Sequence, residues 1–234
     1  MVSRSIERPL TRSDLATSPK SGLWRVVAAV EVVVAAVVVL LDLGMPTLVL
    51  LAMAVISLIV RRHRPSTLGL RKPSQPGRMA AEVLGLSLLW SVLVLALFIP
   101  VMEHLAGQRQ DVSQFARLEG NVPLLLFMLL LTWTLAAFGE EFAFRGYVQT
   151  RAREVLPAGV AGAVVAVLLS SVLFGFLHTE QGVIGVVITT LDAIFWSTLR
   201  YRYRTLWAAI LAHGFNNTIG MVAYFIAGPF YGLW

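Results

Sequence analysis

VPLLLFMLLLTWTLAAFGEEFAFRG, residues 122–146, decides the fold. Its first eighteen residues carry no charge. A hydrocarbon core ~30 Å thick takes about 20 apolar residues per helical crossing, so the stretch is long enough to span a bilayer. At its end stand Glu140, Glu141 and Arg145. An ionisable side chain at membrane depth costs about 2.5–3.5 kcal/mol on insertion scales, and each of these three therefore needs a partner or a task.

The rest of the chain has the same character. Of 234 residues, 57% are hydrophobic and 14% charged, and the mean hydropathy is +0.77. That leaves too little polar surface for a soluble globule. Apolar stretches at 24–41, 46–60, 79–102, 122–147, 158–178, 181–199, 205–219 and 220–233 predict an all-α, polytopic transmembrane helix bundle of about eight spans. Seven is the alternative count, because Gly228-Pro229 interrupts the last stretch. The first apolar run has no small-residue cleavage site after it and reads as an uncleaved anchor.

Charge supplies orientation. The net charge is +6 and the isoelectric point about 10.3, yet the cations do not form a nucleic-acid surface. Seventeen of the nineteen Lys and Arg fall in the N-terminal segment through Arg25, in loop 61–78, and in the connections 145–153 and 200–204. Arg109 and Arg117 alone fall in the opposite 103–121 loop. Such asymmetry is the positive-inside pattern. It predicts a multi-pass protein of the cell membrane with a cytoplasmic N-terminus, both termini sharing that side if there are eight spans. Residues 1–22, rich in Ser and Arg, read as a disordered cytoplasmic tail, and 23–234 as the membrane-embedded domain. No cysteine is present, which excludes disulfides, thiol catalysis and thiolate zinc sites.

The polar groups at membrane depth are few: Glu31, Glu82, Glu140, Glu141, Arg145, His178, Asp192, His213, Asn216 and Asn217. Glu141 and Arg145 stand i,i+4 with the acid first, the favourable order for an ion pair on one helical face. Glu140 points elsewhere and has no local partner, as befits a general base. In LFGFLHTE, 173–180, Phe174 lies one turn before His178. In LAHGFNNTIG, 211–220, His213 and Asn217 share a face, and Gly214 and Gly220 permit close helix approach. Taken singly, each feature has a structural reading: a juxtamembrane charge cluster, an interfacial histidine, interhelical hydrogen bonds. Glu31 and Glu82 read as acids reaching the inner surface, and Asp192 as a structural hydrogen-bond acceptor.

EEFAFR, FGFLH and HGFNN fit EExxxR, FxxxH and HxxxN, in the order and on the helices of the CPBP family, and residues of about 120–220 resemble its core. That family includes CAAX prenyl endoproteases of the Ras-converting type and bacterial Abi-like membrane proteins. The resemblance implies an intramembrane protease in which Glu140 and His178 activate a water, His213 and Asn217 form the oxyanion site, and Glu141 with Arg145 supports the frame. No cofactor is implied. A zinc-dependent version would use His178, His213 and Glu140 as ligands, although the helical HExxH pattern is absent. The implied partners are the lipid bilayer and a peptide or membrane-protein substrate. A non-catalytic immunity or scaffold protein and a proton relay are the competing classes.

Overall fold

The computed structural model describes residues 22–229, and every regular element among them is helical. Seven helices follow one another: α1 Gly22–Leu40, α2 Pro46–Val60, α3 Pro76–Ala106, α4 Val122–Val155, α5 Val160–Phe176, α6 Gly182–Tyr203 and α7 Leu206–Ala227. α1, α3, α4 and α6 are each long and apolar enough to cross a membrane, and α2 and α5 are shorter apolar helices. The tail assigned to residues 1–22 lies outside the described residues except for Gly22, which opens α1.

The two spans expected at 205–219 and 220–233 are one helix as far as Ala227. Nothing in LWAAILAHGFNNTIGMVAYFIA stops a helix, since it holds no proline and Gly220 stands in open space. At about 1.5 Å per residue these 22 residues reach roughly 33 Å, enough for a single crossing. The stop comes at Gly228, whose φ of +71° suits glycine, and at Pro229 after it. With one helix there instead of two, the ends of the bundle do not share a side. Arg25 at the start of α1 donates to the carbonyl of Val155 at the end of α4, whereas Gly120 N–H donates to the carbonyl of Phe225 near the end of α7. The far end of α7 therefore lies with the 107–121 loop, opposite the start of α1.

Interhelical ion pairs fasten the basic end. Arg61 at the end of α2 reaches Glu31 of α1 at 2.6 Å and Glu154 of α4 at 2.9 Å. Arg151 of α4 joins Glu154 at 2.7 Å and Glu31 at 3.3 Å. Glu31 is thus a member of a four-charge network and not a side chain reaching for the surface. Glu82 of α3 likewise accepts from Arg78 at 2.7 Å and from the Tyr203 hydroxyl of α6 at 2.6 Å.

α4 is not α-helical throughout. Thr132–Val148 is wound as a π-helix, and Val94–Phe98 of α3 forms a shorter π segment. Such i→i+5 winding is rare and is found mostly as single turns at functional sites. Two of the carbonyls here have side-chain partners from other helices: Ser170 of α5 donates to Phe144 O at 3.0 Å, and Arg200 of α6 donates to Arg145 O and to Gln149 Oε1. The core that fixes α4 in place runs from Leu50 and Ala54 through Ala143 and Phe144 to Phe174, Trp196, Ala208 and Ala209.

Close approach sets the remaining spacing. A methyl group at Gly214 would lie 2.5 Å from the Trp133 ring, and one at Gly175 would lie 2.1 Å from Thr190 Oγ1. Glycine at these two positions lets α7 contact α4 and α5 contact α6. At Gly220, expected to serve the same purpose, an added methyl group would meet nothing within 4 Å.

Candidate active site

α4 brings Glu140, Glu141 and Arg145, α5 brings Phe174, the α5–α6 connection brings His178, α6 brings Asp192 and Trp196, and α7 brings His213, Asn216 and Asn217. Glu141 and Arg145 are fully buried and pair at 3.0 Å. The guanidinium lies 4.3 Å from the centre of the Phe174 ring and 5.1 Å from that of Trp196, so aromatic faces supply the rest of its setting.

Glu141 has a second partner that spacing along the chain did not reveal. Its Oε1 lies 3.0 Å from His213 Nδ1 as well as 3.0 Å from Arg145. A carboxylate paired with an arginine only accepts, so with Glu141 in that form the imidazole proton belongs on Nδ1. That leaves Nε2 facing Glu140, whose Oε2 stands 3.9 Å away. The ring of His213 is clamped between helices: Trp196 stacks on it at 3.9 Å, nearly parallel, and Phe174 meets it edge-on at 5.9 Å. Trp196 is fixed in turn by its indole N–H, which donates to Asn216 Oδ1 at 3.0 Å.

His178 sits just past the end of α5, with its ring 4.9 Å from that of Phe174. Its Nδ1 lies 3.2 Å from the Phe174 carbonyl. A carbonyl only accepts, so Nδ1 carries the proton and Nε2 keeps its lone pair. The FxxxH spacing thus places an aromatic ring beside the histidine and a carbonyl that selects its tautomer.

Two cavities meet here. One of about 250 Å³ is lined by Glu140, His178, Glu180 and Asn217, with Leu135 and Met221. A neighbouring one of about 300 Å³ is lined by His178, Asp192, Trp196, His213, Asn216 and Asn217 among others. Asn216 is committed, because its Nδ2 donates to Ser87 O at 3.1 Å and to Ser91 Oγ at 2.8 Å. Asn217, one residue on, faces both cavities. The structure brings Glu140 closer to His213 than the motif reading suggested and sets it across a shared cavity from His178. Among the described residues no three His, Cys, Asp or Glu side chains converge closely enough to hold a metal ion, the Glu140, His178 and His213 set included.

Trp196 is the member that sequence reasoning missed. Its signal was present, since it stands one turn after Asp192, the only acid within its span.

Apolar helices of spanning length around a buried set of acids, histidines and amides define a multi-pass membrane protein with a polar site inside its bundle. Residues 122–219, the stretch that carries all three motifs, match the family model described as Rce1-like, type II CAAX prenyl endopeptidase. The match agrees with the resemblance read from EExxxR, FxxxH and HxxxN, and supports a membrane protease of the CAAX type in general. No curated protein and no solved structure matches the chain.

Proposed function

We propose that the protein is an intramembrane endopeptidase that hydrolyses a peptide bond with a water activated by Glu140 and His178. The observation that carries this reading is a cavity of about 250 Å³ into which Glu140, His178 and Asn217 project from three separate elements. In this reading Glu140 takes one proton from the water while the His178 Nε2 lone pair orients it. The hydroxyl oxygen bonds to the peptide carbon, and the carbonyl oxygen becomes the oxyanion. Asn217 supplies N–H donors to that oxyanion. His213 assists only once Nε2 also carries a proton, a charge that the Glu141 carboxylate 3.0 Å from Nδ1 is placed to balance. When the C–N bond breaks, Glu140 returns its proton to the departing amine. Water is consumed, one acid and one amine form, and the site is restored.

In this mechanism Arg145 and Glu141 act on the frame, holding the tautomer and position of His213. No metal takes part. The N-terminal end of α1, the loop after α2 and the α6–α7 connection face the cytoplasm of a cell membrane, and the 107–121 loop faces outward, as the charge distribution supports.

The test is incubation of the purified full chain in lipid nanodiscs with a library of membrane peptides, read by mass spectrometry beside Glu140→Gln. Cleavage by wild type and none by the variant is expected. Cleavage by both at the same rate removes Glu140 from the chemistry, and cleavage by neither removes the protease reading.

A further inference from the structure

Each of the other acids considered at membrane depth has its place. Glu31, Glu82 and Glu141 each face an arginine, and Glu140 belongs to the proposed reaction. Asp192, in the middle of α6, is different. Its Oδ1 accepts from the indole N–H of Trp90 at 2.6 Å, and that indole is stacked on Phe195 at 4.7 Å. An indole is a neutral donor, and no Lys or Arg forms an ion pair with Asp192 among the described residues. Asp192 nevertheless lines the cavity of about 300 Å³ that also holds His213 and Asn217.

The rest of that cavity is suited to a long side chain with a charged tip. Ile99, Phe115, Ile188 and Tyr224 give it apolar walls, and no Lys or Arg lines it. Asp192 stands one helical turn from Trp196, about 6 Å along the axis, and Trp196 stacks on His213 at 3.9 Å. The carboxylate therefore lies within the length of one side chain of the groups that would hold the reacting carbonyl. Lys and Arg bury their methylene stems along apolar surface and carry a cation at the end.

We propose that this cavity receives a lysine or arginine side chain of the substrate next to the bond that is cut, and that Asp192 pairs with its charge. The assignment rests on the protease reading for the word substrate. Recognition itself needs only the cavity and the carboxylate.

Binding and turnover are measured separately. Two acetylated, amidated leucine-rich pentapeptides differing only at the central residue, lysine or norleucine, are titrated onto Glu140→Gln protein in nanodiscs, with empty nanodiscs subtracted. The lysine peptide is expected to bind about tenfold more tightly or better, as for a close charge pair withdrawn from water, and Glu140→Gln/Asp192→Asn should bring that ratio close to one. A glutamate peptide should bind more weakly than norleucine, a comparison that requires no substitution at Asp192. Equal affinity for lysine and norleucine, or a lysine preference that survives Asp192→Asn, overturns the proposal. Wild-type cleavage of the library then separates the two readings. A lysine preference with no cleavage keeps the pocket and ends the protease reading, whereas cleavage with no bias toward Lys or Arg beside the cut keeps the protease and ends the pocket.

Discussion

Replacing Glu141 by Gln tests the architecture of the site most directly. Both Glu141 and Arg145 are wholly buried, and one oxygen of Glu141 serves Arg145 and His213 at 3.0 Å each. The amide keeps the shape and an accepting oxygen but removes the charge, so Arg145 is left as a buried cation among the rings of Phe174 and Trp196. Stripping one partner from a buried ion pair costs about 3–5 kcal/mol. The retained acceptor puts the expected loss near the lower end, about 3 kcal/mol. Glu140→Gln, at a side chain still 18% exposed and 3.9 Å from the imidazole Nε2 of His213, should cost about 1 kcal/mol or less. Reversible unfolding in mixed micelles, followed by tryptophan fluorescence, reads both. Replacing the whole pair, Glu141→Gln with Arg145→Met, should recover part of the loss, because the uncompensated cation is gone. If Glu141→Gln matches wild type in stability, or if the double variant is no better than the single one, the pair is not holding the site together.

Three further outcomes are expected. Gly214→Ala places a methyl 2.5 Å from Trp133 and should destabilise by about 1–3 kcal/mol through overpacking, whereas Gly220→Ala, in open space on the same helix, should be neutral or stabilising by up to about 1 kcal/mol; equal effects in the same unfolding assay would show that α4 and α7 are not in close contact. Single cysteines at Ser74 and Gln108, in a chain that has none of its own, should be labelled by impermeant maleimide only from the cytoplasmic and only from the external side respectively, and the reverse pattern would invert the topology. Proteolysis of any identified substrate should survive exhaustive chelation, with no anomalous scattering peak between Glu140 and His213; loss of activity on chelation and its return with zinc would replace the proposed mechanism by a metal-dependent one.

The sequence by itself determined the membrane class, the charge asymmetry of the loops and the helix positions to within a few residues, except that α4 runs on to Val155 through the 145–153 stretch expected as a connection. All three are local properties, because burial in lipid depends on runs of adjacent residues and orientation on charges beside them. The i,i+4 relation of Glu141 and Arg145 was legible for the same reason, even though the segment is wound as a π-helix. One boundary failed locally: two short apolar runs at 205–219 and 220–233 were read apart, although no residue before Gly228 breaks the helix. What the tertiary structure decided is which polar groups meet. Glu31 with Arg61, Glu141 with His213 and Trp90 with Asp192 are contacts between helices 30, 72 and 102 residues apart in the chain. No period in the sequence encodes such a meeting, because the side of a helix that faces a neighbour is fixed by packing, and small residues such as Gly214 and Gly175 set how near that neighbour comes. The same packing gave Asp192 a neutral partner and a cavity in place of a cation, a circumstance that residue spacing alone could not express.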